Sequence, residues 1–486
     1  MTTSQQPNTL LIDNILLLPD GPAGAAATAG AILVSDARIK AVLHDNNEIA
    51  ALGSSTKTVL DGKGKLVIPG LINGHCHTYA TVLRGTQNSQ PLEVWALYTM
   101  AWGRSLDADL VATAVELSAA EMIRNGVTSV IDHIPHIGLF DHTLAAHART
   151  GMRVGIAPFM QDIPDHKFLE FDLPDELRTP LETPAPMTPT QTSRFFENFF
   201  ERLADMPDTI IGMIGPNAPQ RCSEELWLVW QTLQEKYDAP VHTHLLETAI
   251  QAQSSQQKWQ GGLVGEMERQ GLLNDNLSVA HAIWLLESER ELLARYGVTI
   301  IHNPASNLML GSGALAYAEC KNLSIPVGIG SDSANTAGRH DIFEGARLAS
   351  MLPRLSEPDY NLWPQTADVL HGSREAGAKA LGLSGQLGDL VPGQLADLVL
   401  LDMDNLQMLG PVINPELVAQ HASRDVVCDV MINGHWVLRE KELVHLDEKQ
   451  IRTGFSEQRQ EFLNRSSEAI KLAERTAPVV KRNLLD

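Results

Sequence analysis

Short apolar runs alternating with amphipathic segments constrain the fold of this chain more than any other feature. Eight such runs read as buried strands: Leu66–His75, Val127–His133, Met152–Phe159, Thr209–Pro216, Pro240–Leu246, Leu277–Ala282, Val298–Asn303 and Ile325–Asp332. Helical segments separate most of them. The clearest is Asp107–Asn125, with apolar residues at three-and-four spacing and Gly126 as its stop. Ser223–Tyr237, Glu287–Tyr296 and Asp341–Leu352 follow the same logic. Eight strands alternating with helices over about 320 residues predict an α/β fold, a (β/α)8 TIM-like barrel. An open doubly wound sheet is the alternative, but no G-x-G-x-x-G follows an early strand.

The two ends have a different texture. Leu10–Leu18, Ala31–Val34, Lys40–Leu43 and Thr58–Leu60 are short β-like runs between turns, with no helix of useful length among them. The texture returns at Ala396–Leu401, Val426–Ile432 and His435–Leu438, where Asn433-Gly434 signals a hairpin. One small β-sandwich built from both termini is expected, with two separate terminal extensions as the alternative. The predicted boundaries are 1–65 and 386–445 for the sandwich, 66–385 for the barrel and 446–486 for a helical tail. Within the barrel, Ile163–Thr192 reads as a long loop, and Glu457–Glu474 in the tail as a surface helix.

Composition limits the partners. The 486 residues are 44% hydrophobic and 20% charged, enough for a sizeable core, and the net charge is −22. Such a surface repels phosphate backbones and anionic membranes, so a small-molecule substrate is expected, with no nucleic acid and no membrane. Four cysteines cannot form a disulfide framework and fit a reducing cytoplasm. The stretch before Leu18 has no basic segment ahead of its apolar run, so it does not read as a signal peptide, and no uncharged apolar run reaches about 18 residues.

His75-Cys76-His77 closes the first predicted strand. Residues i and i+2 of a strand share a face, so both imidazoles project together at the end where barrels place their active sites. Imidazole is the commonest ligand for zinc and similar metals. His242-Thr243-His244 ends the fifth strand with Glu247 just beyond; His281 ends the sixth; Asp332 ends the eighth after an apolar run. Singly, each has an ordinary explanation: a hydrogen-bonded core histidine, or a helix-capping aspartate. Together they meet at the C-terminal ends of strands one, five, six and eight, which predicts a metal site.

The run Pro69-Gly70-Leu71-Ile72-Asn73-Gly74-His75-Cys76-His77 resembles the strand-one signature of the amidohydrolase superfamily. Leu83-Arg84-Gly85, the run from His302 to Gly313 (HNPASNLMLGSG) and Gly388–Leu401 match more narrowly. They resemble the branch that holds S-adenosylhomocysteine/methylthioadenosine deaminases, triazine chlorohydrolases and related cytosine/guanine-deaminase-like aminohydrolases. The resemblance runs from about residue 10 to about residue 440, in order. It implies a (β/α)8 barrel and one divalent metal ion per chain, Zn2+ or Fe2+, held by His75, His77, His244 and Asp332. Glu247 and His281 match catalytic positions of the family, with Asp332 taking the proton of the attacking water. Binuclear relatives use a strand-four lysine; Thr209–Pro216 contains none. His242 matches no family role. A homo-oligomer, dimer or tetramer, is also expected.

Two departures bear on the substrate. Adenosine-type relatives carry a histidine where this chain has Asn217, and a ribose-binding glutamate where it has Arg104. An arginine only donates hydrogen bonds, so the nucleoside reading is weakened, and Arg104 beside Trp102 would suit a flat or anionic substrate. His133 and His136 are candidate mouth residues, and Gln161 or Glu93 a substitute acceptor for a sugar. Trp95, Tyr98 and Met100 read as packing.

The sequence thus predicts a metal-dependent aminohydrolase acting on a small nitrogen heterocycle. One rival is a hydrolase on the same scaffold that removes chloride or an alkylamine, or cleaves an amide or urea-like bond. The other is a non-catalytic binding protein, against which the intact set of costly buried polar groups counts.

Overall fold

The computed structural model describes residues 9–18, 25–56, 58–86 and 89–485. Its central unit is a ring of parallel strands. Leu71–Cys76, Val127–Ile134, Arg153–Met160 and the short pair Ile210–Gly212 and Gly215–Pro216 form one half. Val241–Leu245, Leu277–His281, Thr299–His302 and Val327–Ile329 form the other. Single parallel bridges, Ile214 to Val241 and Cys76 to Asp332, join the halves at both seams. The result is a (β/α)8 barrel. Its strands are apolar along both faces because helices cover the outside and side chains fill the inside.

The closing seam requires a glycine. A Cβ on Gly330 would lie 2.8 Å from the Cβ of His75 and collide with the Asn303 amide. Only hydrogen there lets the eighth strand deliver Asp332 beside the first. The helix Ala108–Arg124 is set by its ends: the Asp107 carboxylate caps Leu110 N at 2.9 Å, and Gly126 takes φ 76° after it.

Strands from both ends of the chain join in one nine-stranded sheet. Thr9–Leu17 lies beside Lys65–Pro69, which pairs in turn with Leu398–Asp402. The sheet curls back on itself: Ile39 N donates to Gln394 O at 2.9 Å and Ala396 N to Ala37 O at 2.7 Å. Ile12, Ile32, Ile39, Leu398 and Met431 share its core. In the late hairpin, Ile432 pairs with His435, and Asn433 and Gly434 take φ 52° and 78°, the twist a two-residue turn needs.

Four sequence expectations change. Leu66–His75 is two strands, not one: Gly70 breaks it, and Lys65–Pro69 belongs to the terminal sheet. The N-terminal part does contain a helix, Asn46–Ser55, capped by Asp45. Ile163–Thr192 is not a plain loop; it folds into Asp165–Phe168, Asp175–Leu181 and the start of Pro189–Arg202. The C-terminal helix spans Glu448–Leu485, and it is more than a surface helix. Phe462 packs on Trp102 with ring centroids 5.4 Å apart, and Ala473, Ala477 and Val480 bury against Val94 and Leu97. It clamps the helix Leu92–Gly103 over the barrel. No helix among the described residues is long and apolar enough to cross a membrane.

Candidate active site

The C-terminal ends of the barrel strands bring together His75, His77, His244 and Asp332, the candidate metal ligands of the sequence. His77 Nε2 lies 3.2 Å from His244 Nε2, and Asp332 Oδ1 lies 3.6 Å from both His75 Nε2 and His77 Nε2. His75, His77 and His244 form one compact trio of ligand atoms; His75, His281 and Asp332 form another that shares His75.

The opposite ring nitrogens decide which tautomer each histidine holds. His77 Nδ1 donates to His133 O at 2.6 Å, and His244 Nδ1 to Asn217 O at 2.6 Å. His281 Nδ1 donates to Asn307 Oδ1 at 2.9 Å. His75 Nδ1 meets His242 Nε2 at 2.8 Å, and His242 Nδ1 meets Ser278 Oγ at 2.8 Å, whose proton goes to Val241 O at 3.0 Å. That last bond fixes the direction of the chain. Ser278 accepts from His242, so His242 Nε2 accepts from His75. Each ligand histidine therefore turns an Nε2 lone pair inward, and buried His75 Nε2 has no hydrogen-bond partner. A buried acceptor without a partner is costly, and three inward lone pairs with a carboxylate make a donor set that fits one divalent ion.

Burial pulls His75 down to about 4 and His244 and His242 well below the ordinary histidine value, so these three imidazoles are neutral. Burial alone would push the Asp332 carboxyl up, but the ring of His75, 3.6 Å away, and the neighbouring His281 and His77 hold it well below its ordinary value, and the group stays ionised. Asp332 Oδ2 accepts from Ser306 Oγ at 2.6 Å and Oδ1 from Ser333 N at 2.7 Å.

Glu247 and His281 complete the site. His281 Nε2 lies 3.6 Å from Glu247 Oε2 and 4.0 Å from Asp332 Oδ2. Glu247 is 5% exposed, and burial raises its carboxyl to about 7. Ser312 donates to its Oε1 at 3.2 Å, leaving Oε2 toward His281. His281 and Asp332 both occupy the left-handed region, with φ 71° and 56°. Non-glycine residues in that region cost about 1–3 kcal/mol each, and such strain clusters at functional sites.

The remaining predicted residues divide. His133 is buried among the ligand histidines, its ring centroid 4.8 Å from that of His244. Asn217 holds His244 through its carbonyl, and its side-chain amide donates to Gln161. His136 packs on Tyr79 with centroids 4.5 Å apart. Arg104 is not brought to the cluster: its guanidinium donates to the carbonyls of Pro180, Leu181 and Thr183, closing a helix end. Trp102 packs against the C-terminal helix. Sequence reasoning missed Arg221, Asn307, Ser278 and Ser312. The last three are supporting polar residues, and no spacing marks such roles. Arg221 had one signal, a lone cation four residues after Asn217.

Residues 66–437 match the family model described as "Amidohydrolase family". The chain belongs to the amidohydrolase family. It is similar to a 5'-deoxyadenosine deaminase of Methanothermobacter thermautotrophicus, 30% identical over 445 residues that cover 90% of this chain and 97% of the relative. It is similar to a 5-methylthioadenosine/S-adenosylhomocysteine deaminase of Syntrophobacter fumaroxidans, 30% identical over 447 residues, covering 91% and 96%. Among solved structures it resembles an adenosine deaminase from Xanthomonas campestris with bound zinc. The TM-score is 0.82 at 26% identity, covering 94% of this chain and 98% of that one. The amidohydrolase assignment agrees with the barrel and its terminal β domain.

Proposed function

We propose that this amidohydrolase is a metal-dependent aminohydrolase that releases ammonia from a small nitrogen heterocycle. The observation that carries the reading is the grouping of Glu247, His281 and Asp332, within 3.6 and 4.0 Å contacts, beside three inward-facing Nε2 atoms. His75, His77, His244 and Asp332 would hold the ion. When bound, such an ion supplies Lewis acidity that lowers the pKa of water from about 15.7 to about 7.

The protein groups then have separate tasks. Asp332, ionised, accepts a proton from the attacking water. His281 Nε2, an acceptor because Nδ1 is committed to Asn307, orients that water by its second hydrogen. Glu247, raised to about 7, is available in its protonated form at neutral pH and gives that proton to the ring nitrogen beside the reacting carbon. Water oxygen bonds to the carbon; Glu247, now a carboxylate, takes the proton left on that oxygen and passes it to the amine as the carbon–amine bond breaks, and the proton held by Asp332 returns to Glu247. Ring amine plus water becomes ring carbonyl plus ammonia. Similarity to deaminases over nine-tenths of the chain supports the same reaction.

The nitrogen and oxygen donors suit either ion, and the zinc bound in the Xanthomonas relative supports Zn2+ over Fe2+. Exposed Leu355, Tyr360 and Met351 on neighbouring turns support a homo-oligomer, a dimer or a tetramer, and four buried unpaired cysteines support a cytoplasmic location. The test is the leaving group. Paired amino-, alkylamino- and chloro-substituted heterocycles are supplied to one preparation, and ammonia, alkylamine and chloride are measured. Ammonia is expected to dominate; faster chloride release, untouched by Glu247→Gln, would favour the rival hydrolase, because chloride leaves without a proton.

A further inference from the structure

Resting on the deaminase reading above, we propose that Arg221 and Glu93 form a subsite that selects heterocycles carrying a lactam edge, a ring carbonyl beside a ring N–H. Arg221 ends the turn Pro219–Arg221 that follows Asn217, and its side chain is only 14% exposed. Asp165 takes two of its donors, Nε to Oδ1 and Nη2 to Oδ2 at 2.7 Å, and Asn217 Oδ1 takes a third from Nη1 at 2.9 Å. A guanidinium has five N–H groups, so among the described residues one donor on each Nη is left over. The Asp165 clamp fixes the guanidinium plane, and the Asn217 contact ties it to the residue that holds His244.

Arg221 belongs to the electrostatics of the site. Burial raises the carboxyls of both Glu247 and Glu93, and the positive charge of Arg221 pulls each back down. Glu93 is anchored from the roof helix Leu92–Gly103: Thr248, next to Glu247, donates to its Oε1 at 2.6 Å. Its Oε2 remains an acceptor. A fixed donor pair and a fixed acceptor, both near enough to Glu247 to act on its charge, are complementary to a cis-amide edge, whose carbonyl accepts and whose N–H donates. A ring without that edge leaves a desolvated guanidinium unmatched, and sites built on such hydrogen bonds reject the analogue lacking them by orders of magnitude. Asn217 and exposed Gln161 extend the same polar rim.

Matched pairs test this on metal-replete enzyme: isocytosine against 2-aminopyrimidine, and guanine against 2-aminopurine. Each pair has the same amine and differs in the lactam. The lactam member is expected to win by about 100-fold or more in kcat/KM. Arg221→Met should shrink the gap below about tenfold, mainly through KM, with metal content unchanged. Equal rates in the wild type, a gap untouched in Arg221→Met, or adenosine or 5'-deoxyadenosine outrunning every lactam by tenfold would overturn the proposal. Should no amine be hydrolysed, the deaminase reading fails and the subsite is decided by calorimetry. Uracil binding that pyrimidine does not share, lost in Arg221→Met, would support it; no uracil binding would overturn it.

Discussion

His75 and His242 share a 2.8 Å hydrogen bond, Nδ1 to Nε2, and Ser278 stands behind it at 2.8 Å from His242 Nδ1. The relay leaves His75 one free lone pair, on the nitrogen that faces His77, His244 and Asp332. His242→Phe should therefore weaken zinc affinity by about 10–100-fold, the usual range for a partner that orients a ligand. His242→Gln, whose amide oxygen can accept from Nδ1, should recover part of it. Chelator competition measures both; an unchanged affinity in His242→Phe would remove the relay from the account.

Glu247→Gln keeps the shape and cannot pass protons. It should hold its metal and lose about 10²–10⁴-fold in kcat on amine-leaving substrates. A loss under tenfold would take Glu247 out of the proton transfers.

The same carboxyl sets a pH dependence of stability in metal-stripped protein. Its folded pKa is about 7 against an ordinary 4.5, so between those values the folded chain holds a proton that the unfolded chain has released. Stability should fall as pH rises through that window and level off above it, by on the order of 3 kcal/mol. Glu247→Gln should flatten the slope from pH 4.5 to 7 in urea melts. An identical slope in both proteins would contradict the burial of an uncharged Glu247.

Arg153 and Asp397 join the barrel to the terminal sheet. Both are 3% exposed, with Nη2 to Oδ1 at 3.0 Å, and Asp397 also accepts from Asn433 N at 2.8 Å. Arg153→Met should destabilise by about 3–5 kcal/mol, because Asp397 is left charged and buried. Adding Asp397→Leu should restore a good part of that in denaturant melts. A single variant as stable as the parent would mean water already reaches the pair.

The strands and the candidate metal ligands are legible because their signals are local. His75 and His77 two apart, and a carboxylate ending the apolar run at Asp332, describe a strand end without three-dimensional information. The break at Gly70 was not legible, because the apolar run continues across it into the next domain while the chain changes sheets. The helix Asn46–Ser55 was hidden by its polarity and by its strand-rich neighbours. Arg104 looked like a substrate residue because sequence spacing cannot show that the carbonyls at 180–183 fold back onto it. Ser278 acts only through partners on the neighbouring strand, so nothing within its own segment marks it, and the run His302–Gly313 carries a family resemblance at Asn307 without showing its contact with His281.

Titrating metal-stripped enzyme with Zn2+ while following ammonia release from an aminoheterocycle tests the central claim most directly. The four converging donors predict that ammonia release is absent without metal and rises linearly to a plateau at about one Zn2+ per chain. Release that persists without metal, or a plateau reached only at two ions per chain, would contradict it.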